Sequence, residues 1–318
     1  MPAHRKAKEP RISLRAAGTA DRVSSDLVSC IQRRHVTLPV HKITLIVLLV
    51  SACGTEPGRL GDFAGHVQVG GTLRSFAAHP PTSYDPSAPL PVLIAFHGSP
   101  GSGASLRALT GLDSIADQLG FLVAYPDANG AWNDGSPGSE SAEDLDFLAG
   151  LLDTLESRIS IDRRRIHLAG FSIGGLFVAR AACERGHLIT GITIVAATLS
   201  NVIAATCRLR VPTPVELMIG RADLAFPWDG VTGDSVEYFS VPLTMETWAG
   251  WNECAAVPAL SFVRLPHSDT AIVRSAHPNC AGGGEVALYP LDNVAHAWPT
   301  GKIDAGYLAG MATIRQRR

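Results

Sequence analysis

The stretch that decides the fold runs from Arg165 to Gly175 and reads RIHLAGFSIGG. Its first five residues form a short, mostly apolar run that is typical of a buried β-strand. Glycines then flank a serine in a tight turn, Gly170-Phe171-Ser172-Ile173-Gly174, and the following residues, Gly174–Arg185, predict a helix. A strand, a Gly-x-Ser-x-Gly turn and a helix raise the serine above the carboxyl edge of a sheet, beside the positive end of the helix. We therefore interpret Ser172 as a nucleophile.

Apolar runs alternate with helical patterns on both sides of this turn. Short apolar runs predict the strands Val92–His97, Phe121–Tyr125, Arg165–Ala169, Gly191–Ala196, Val215–Ile219 and Glu285–Tyr289. Residues with helical spacing predict the helices Leu106–Leu119, Ser141–Ile159, which begins with a serine capping signal, and Gly174–Arg185. Alternation of this kind predicts a mainly parallel central sheet with helices on both faces. An earlier piece, Phe63–Ala77, alternates enough to form an antiparallel hairpin at the edge of the sheet.

A serine nucleophile needs a base, and the base needs an acid that orients it. In folds that carry the Gly-x-Ser-x-Gly turn, the chain order is serine, then acid, then histidine. Asp223 follows the predicted strand Val215–Ile219 on a short loop, and we favour it as the acid. Asp229 and Asp234 are rivals, although Asp229 in Pro227-Trp228-Asp229-Gly230 has the pattern of a turn-forming residue.

The base is predicted to be His296, which follows the last predicted strand after a short loop. His267 and His277 also come after Asp223, but each lies in a polar stretch before that strand, and we interpret both as surface residues. The negative charge that develops on an attacked carbonyl needs backbone donors set in advance. The expected donors are the N–H groups of Ser99, at the end of the first long strand, and of Ile173, with His97 as a structural hydrogen-bonding residue.

The beginning of the chain predicts an export signal. Residues 1–42 hold nine basic and three acidic side chains, and Ile43–Val50 (ITLIVLLV) is an apolar run that is too short to span a bilayer. Val50-Ser51-Ala52-Cys53 resembles a bacterial lipobox, which implies lipidation of Cys53. Residues 1–52 are thus expected to be leader and signal peptide, with 1–35 untranslated if synthesis begins at Val36, residues 53–62 a tether, and 63–318 one catalytic domain. A secreted form without a lipid anchor and a form without export remain as alternatives.

The composition is that of a globular protein. The 318 residues are 46% hydrophobic and 18% charged, which is sufficient for one large domain with a substantial core. With a net charge of −2 and the basic side chains concentrated at the start, the rest of the chain is acidic and gives no reason to expect nucleic acid as a partner. No cysteine or histidine cluster has zinc spacing, so neither a metal site nor another cofactor is expected.

Four cysteines remain after Cys30 in the leader and Cys53 at the lipobox: Cys183, Cys207, Cys254 and Cys280. An even number in an exported protein favours two disulfides. Sequence order suggests Cys183–Cys207 and Cys254–Cys280, although four cysteines allow three pairings and buried free thiols are the alternative.

Several of these stretches together resemble the polyhydroxybutyrate depolymerase and feruloyl esterase group of α/β-hydrolases, over about residues 65–300. The matching segments are PVLIAFHGSPGSG (91–103), GFLVAYPDANGAWND (120–134), DRRRIHLAGFSIGGL (162–176), PVELMIGRADLAFPWDG (214–230), the segment with Trp248, Asn252 and Cys254, and VAHAWPTG (294–301). The resemblance implies the α/β-hydrolase fold, a triad of Ser172, Asp223 and His296, the Cys254–Cys280 bridge and, more weakly, Cys183–Cys207. Two departures bear on the substrate: Ile219-Gly220-Arg221 stands where relatives often have His-Gly-Thr, and Asn293-Val294-Ala295 replaces three glycines before His296.

The resemblance implies a serine esterase that works through an acyl-enzyme on a small or oligomeric ester, such as a short hydroxyalkanoate, an aromatic (feruloyl-type) ester or an acetyl ester. The only membrane contact expected is the lipid anchor, on the outer side of the cytoplasmic membrane. Two other classes remain open: a serine peptidase of the prolyl-oligopeptidase type, and a surface-anchored binding protein without catalysis.

Overall fold

A computed structural model describes residues 60–139, 143–233, 235–264 and 271–299 of the chain. The strands are β1 Phe63–Val69, β2 Thr72–His79, β3 Leu90–Phe96, β4 Leu122–Pro126, β5 Ile161–Phe171, β6 Gly191–Val195, β7 Val215–Gly220, β8 Ala259–Arg264, β9 Ala271–His277 and β10 Val286–Leu291. The α-helices are α1 Gly103–Thr110, α2 Leu112–Leu119, α3 Asp144–Glu156, α4 Ile173–Arg185, α5 Asn201–Thr206 and α6 Val241–Trp251. Among the described residues, no helix combines the length and the apolar composition that crossing a bilayer requires.

Within the described part of the chain, all ten strands form one sheet, in the order β1-β2-β4-β3-β5-β6-β7-β10-β9-β8. In this sheet order, the strands β4, β3, β5, β6, β7 and β10 pair in parallel. An antiparallel hairpin lies at each edge, β1–β2 on one side and β9–β8 on the other. Since parallel strands present their carboxyl ends at the same edge, the loops after β3, β5, β6, β7 and β10 meet there. This confirms the predicted mainly parallel sheet and the predicted edge hairpin.

Helices cover both faces of the sheet, and the pleat of β3 shows how. Val92 and Ile94 point into the core that contains side chains of α3, α4 and α6. Leu93 and Ala95 point to the opposite face, into the core formed with α1 and α2. Because successive strand residues face opposite sides, a strand that is buried on both faces must be apolar throughout. The predicted α/β-hydrolase architecture is therefore present.

The predicted strands are all found, with ends that differ by a few residues, but the predicted helix Leu106–Leu119 is wrong as one element. It is two helices, α1 and α2, divided at Gly111, whose φ of 64° ends the first helix and precedes the second. A left-handed residue cannot continue a right-handed helix, and glycine adopts that conformation without steric penalty. Helix α3 begins at Asp144, and the predicted cap Ser141 lies outside the described residues.

Two other features differ from the predictions. Helices α5 and α6 and the β8–β9 hairpin were not predicted. Strand β8 lies at the edge of the sheet with Leu260 and Phe262 exposed, so its apolar residues do not mark a core strand. The interpretation of His277 as a surface residue in a polar loop is wrong. It is the last residue of β9, is buried, and its Nδ1 hydrogen-bonds to the Ala255 carbonyl at 2.9 Å.

Both predicted disulfides are present. Cys183 of α4 joins Cys207 at the end of α5, and Cys254, just after α6, joins Cys280. The leader and signal peptide of residues 1–52, the lipidation site Cys53 and most of the predicted tether 53–62 lie outside the described residues.

Candidate active site

Ser172 lies at the junction of β5 and α4 in a sharp turn. Its backbone has φ 56° and ψ −123°, a combination that costs energy for any residue except glycine. The turn is possible because the flanking positions have no side chains: a Cβ at Gly170 would lie 2.0 Å from the Gly174 carbonyl oxygen, and a Cβ at Gly174 would lie 2.5 Å from the Phe96 carbonyl oxygen. The Ser172 N–H donates to the Val195 carbonyl at 2.9 Å, which ties the turn to the neighbouring β6.

The three residues predicted as a triad lie in one hydrogen-bonded row. His296 Nε2 is 3.0 Å from Ser172 Oγ, and His296 Nδ1 is 2.9 Å from Asp223 Oδ2. Asp223 is 2% exposed, and its other oxygen accepts the N–H groups of Ala225 and Phe226, each at 2.9 Å. Because a carboxylate only accepts at neutral pH, Nδ1 carries the ring proton and Nε2 is left as an acceptor for the Ser172 hydroxyl. This arrangement can take a proton from the serine.

The loops after β7 and β10 bring the acid and the base together. These strands are parallel neighbours, so both loops leave the same edge of the sheet. The Arg221 N–H donates to the Leu291 carbonyl at 2.9 Å, and the Ala222 N–H donates to the Val294 carbonyl at 3.0 Å. Gly220 allows this close approach, since a Cβ there would lie 2.0 Å from the Val294 carbonyl oxygen. The glycine before Arg221 is thus required by backbone packing.

The rival residues lie elsewhere or outside the described chain. Asp229 is exposed and lies in a turn that is closed by the Gly230 N–H and the Pro227 carbonyl at 2.9 Å, as its sequence pattern suggested. His277 contacts the backbone of Ala255 rather than the triad. Asp234 and His267 lie outside the described residues.

Two aromatic rings stack on the imidazole of His296, and sequence reasoning missed both. The Phe171 ring lies 5.2 Å from the imidazole, centroid to centroid, with 29° between the planes, and the Phe226 ring lies 5.8 Å away with 25°. The available signal was their position in the chain, since Phe171 precedes Ser172 and Phe226 follows Asp223 by three residues. Aromatic faces stabilise a cationic ring, so these contacts would favour the imidazolium form of His296 if it accepted a proton.

The ring of Phe226 also contacts the ring of Tyr238. Their centroids are 4.8 Å apart in an edge-to-face contact. Burial and, secondarily, the negative charge of Asp134 raise the pKa of Tyr238 above its ordinary value. The phenol therefore remains protonated at neutral pH and can donate a hydrogen bond.

The two predicted backbone donors lie at the start of α4 and in the loop after β3. Ile173 is the first residue of α4, where N–H groups have no partner within the helix. Ser99 is exposed in the loop after β3, and β3 pairs with β5 through Phe96 and Gly170. The preceding Gly98 touches the nucleophile turn, because a Cβ at Gly98 would lie 3.2 Å from the Cβ of Ser172.

One side-chain group in the described part of the chain has ligand types that suit a metal. Single ligand atoms of Asp62, His79 and Asp113 lie within 4.8 Å of one another. However, Arg107 forms ion pairs with both carboxylates, which places a permanent positive charge where the ion would bind. The group is better described as an ion-pair cluster that joins β2 and the residue before β1 to α1 and α2.

Comparison with known proteins relates the chain to esterases. The chain matches no family model. It is 29% identical over 278 residues, 80% of this chain and 78% of the other, to a Nocardia uniformis subsp. tsuyamanensis protein that bears an esterase name, NocK. It is 26% identical over 235 residues, 70% of this chain, to feruloyl esterase B of Piromyces equi, and it spans 42% of the length of that protein.

A solved structure agrees with the fold. An acetyl xylan esterase from Aspergillus awamori superposes with a TM-score of 0.56 over 80% of this chain and all of the other, at 13% identity. At that identity the similarity concerns the fold. The chain therefore has the α/β-hydrolase fold and is similar in sequence to proteins named as feruloyl esterases and esterases.

Proposed function

We propose that this protein is a serine carboxylic-ester hydrolase. The observation that carries the proposal is the row Ser172 Oγ, His296 Nε2 and Nδ1, Asp223 Oδ2, with its two contacts of 3.0 and 2.9 Å. A nucleophile within hydrogen-bond distance of a base that is itself oriented by a buried acid is the arrangement that acyl transfer needs. Sequence similarity to proteins named as esterases supports the same reaction class.

In the proposed first half-reaction, Ser172 Oγ attacks the ester carbonyl carbon while His296 Nε2 takes the hydroxyl proton. The backbone N–H groups of Ser99 and Ile173 stabilise the oxyanion of the tetrahedral intermediate. The bond to the alcohol oxygen breaks, the proton passes from His296 to the departing alcohol, and the acyl group remains on Ser172. Water then attacks the acyl-enzyme, with His296 as base. The free acid is released and the Ser172 hydroxyl is restored.

The proposed substrates are small or oligomeric esters. Relatives named feruloyl esterase and a bifunctional acetylxylan esterase/xylanase point to aromatic or acetyl groups on plant sugars. The aromatic surroundings of His296, formed by Phe171 and Phe226 with Tyr238 packed on Phe226, favour an aromatic acyl group among these. Short hydroxyalkanoate oligomers are the remaining class. Initial rates on methyl ferulate, acetylated xylo-oligosaccharides and hydroxybutyrate oligomers would rank the three classes.

The reaction class is tested by release of p-nitrophenol from p-nitrophenyl acetate and butyrate. Wild type should hydrolyse both, and Ser172→Ala should lose nearly all of that activity. Ser83→Ala, an exposed serine between β2 and β3, serves as the matched control and should retain it. Equal rates for wild type and Ser172→Ala would contradict the proposal.

Export to an oxidising compartment is part of the proposal, and the two disulfides support it. Lipidation of Cys53 would then hold the enzyme at the outer side of the cytoplasmic membrane. In a bacterial host fed a radiolabelled fatty acid, the wild-type protein should take up label, and Cys53→Ser should not. Unlabelled, fully soluble wild-type protein would instead indicate the secreted form.

A further inference from the structure

The imidazole of His97 connects the loop after β3 to the backbone segment that contains Ala128. Its Nε2 lies 3.1 Å from the backbone N–H of Ala128, and its Nδ1 lies 2.7 Å from the carbonyl oxygen of Gly98. A backbone N–H can only donate, so Nε2 must be the unprotonated acceptor. The single ring proton of the neutral imidazole is then on Nδ1, where it donates to the Gly98 carbonyl. Both ring nitrogens are thus assigned by their partners.

The segment that contains Ala128, whose N–H contacts His97 Nε2, is itself fixed by buried groups. The Trp132 Nε1–H donates to the His97 carbonyl at 3.0 Å, and the Asn133 N–H donates to Asp144 Oδ2 at 2.6 Å. Asp144 is paired through its other oxygen with Arg74 at 2.7 Å, and both side chains are buried. A buried ion pair with these additional hydrogen bonds gives residues 127–134 one arrangement, and the Ala128 N–H therefore has a defined direction.

The carbonyl that His97 holds belongs to the peptide unit that carries the Ser99 N–H. The peptide bond between Gly98 and Ser99 is trans, so its C=O and N–H point in opposite directions. Fixing the Gly98 oxygen toward the buried imidazole therefore turns the Ser99 N–H away from it. Gly98 packs against Ser172 at the same time, with its missing Cβ position 3.2 Å from the Ser172 Cβ.

We propose that His97 is a positioning residue that aims the Ser99 N–H at the oxyanion, through the Gly98 carbonyl. This inference rests on the ester hydrolysis proposed above. His97 does not touch the substrate in this proposal; it sets one donor before the reaction begins. Such preorganisation stabilises the transition state more than the bound ester, so its loss should lower kcat and leave KM nearly unchanged.

The space around the held carbonyl is tight, which gives a second way to test the proposal. A Cβ at Gly101 would lie 2.6 Å from the Gly98 carbonyl oxygen and 3.2 Å from His97 Nδ1. Gly101 does not have the positive φ that strains other residues, so Gly101→Ala acts mainly by pushing on this hydrogen bond.

Two replacements of His97 test its two hydrogen bonds separately: the one that Nδ1 donates to the Gly98 carbonyl and the one that Nε2 accepts from the Ala128 N–H. The amide of His97→Asn ends near the position of Nδ1 and can still donate to the Gly98 carbonyl, whereas His97→Gln places its amide near Nε2 and retains only the Ala128 contact. Both remove the ring from its packing against Trp132. We expect His97→Gln to lower kcat on p-nitrophenyl butyrate by about 100-fold, the effect of losing one oxyanion donor, and His97→Asn to lower it by less than about 10-fold. KM should change little in either.

Phenylboronic acid forms a tetrahedral adduct with a reactive serine. Its inhibition constant therefore reports on the oxyanion donors and would not change if His97 served only in packing. Its inhibition constant should rise in parallel with the loss of kcat in His97→Gln and in Gly101→Ala. Gly250→Ala, at an α6 position where an added Cβ meets nothing within 4 Å, is the matched control for Gly101→Ala and should behave as wild type.

The outcomes separate this inference from the proposed function. If wild type lacks hydrolysis that depends on Ser172, the proposed function fails and this inference fails with it. If wild type is active and the two His97 variants lose kcat equally, or lose it with a matching rise in KM, only the role of His97 is overturned. A wild-type kcat in Gly101→Ala would overturn it as well, even if neither His97 variant folds.

Discussion

The carboxylate of Asp223 lies 2.9 Å from His296 Nδ1 through Oδ2, while Oδ1 accepts two backbone N–H groups of its own loop. The backbone bonds fix the carboxylate, so the direction of the imidazole follows from it. Replacing Asp223 by Asn would place an amide N–H or a weaker acceptor against Nδ1 and favour the wrong tautomer. We expect Asp223→Asn to lower kcat for p-nitrophenyl butyrate by roughly 10³- to 10⁴-fold.

The matched control is Asp229→Asn, which changes the same group six residues further on, in an exposed turn. It should keep kcat within about twofold of wild type, the range expected for a surface substitution. A large loss in Asp229→Asn with a small one in Asp223→Asn would show that the acid has been misassigned.

The stacking of Phe226 on His296 predicts a smaller kinetic effect. Phe226→Leu keeps an apolar side chain in the core but removes the aromatic face that stabilises the transient imidazolium. A contact of this kind contributes about 0.5–1 kcal/mol, so kcat should fall about two- to fivefold in steady-state assays. Phe262→Leu makes the same change on exposed β8 and should leave kcat unaltered; equal rates in all three proteins would exclude a role for the stacking.

His167 predicts how stability depends on pH. It lies inside β5 with its Nε2 2.8 Å from Thr193 Oγ1, and burial lowers its pKa from 6.5 to about 4. Between these values the unfolded chain binds a proton that the folded protein does not, so the free energy of unfolding falls as pH decreases from about 6.5 to 4. The loss attributable to His167 is about 3 kcal/mol, and none of it occurs above pH 7.

Urea unfolding of wild type and His167→Gln at pH 7 and pH 4 measures this contribution. Wild type should lose about 3 kcal/mol more than the variant between the two pH values, since other titrating groups cancel in the difference. His66→Gln, in an exposed position of β1, is the control and should follow wild type. An identical pH dependence in wild type and His167→Gln would contradict the prediction.

The Cys183–Cys207 bridge closes a loop with a sequence separation of 24 residues between α4 and the end of α5. Loop-closure entropy for that length predicts that the double variant Cys183→Ala/Cys207→Ala loses about 3 kcal/mol of unfolding free energy. Dithiothreitol should lower the melting temperature of wild type more than that of the double variant, which retains only Cys254–Cys280. A double variant with wild-type stability would show that this bridge does not stabilise the fold.

Local sequence patterns were sufficient to predict much of the architecture. The central strands could be predicted because strands buried on both faces are continuous apolar runs, as in Val92–His97, and such runs have few alternative structures. The nucleophile turn could be predicted because only glycine fits at positions 170 and 174. Other elements were harder to predict. The apolar residues Leu260 and Phe262 of β8 are exposed at the edge of the sheet, and the break at Gly111 depends on a single left-handed residue inside a helical pattern.

The positions of Ser172, Asp223 and His296 in chain order predicted a triad, but no sequence pattern contains their distances. His296 is 124 residues from Ser172 and 73 from Asp223, and their contacts arise only because parallel strands β5, β7 and β10 end at one edge of the sheet. The same holds for Phe226 on the imidazole and for the Ala128 N–H that assigns the proton of His97. Residue type and spacing determine local conformation and which chemical groups are present. The orientation of one side chain against another depends on packing between segments that are distant in the chain. Only the folded structure decides that orientation.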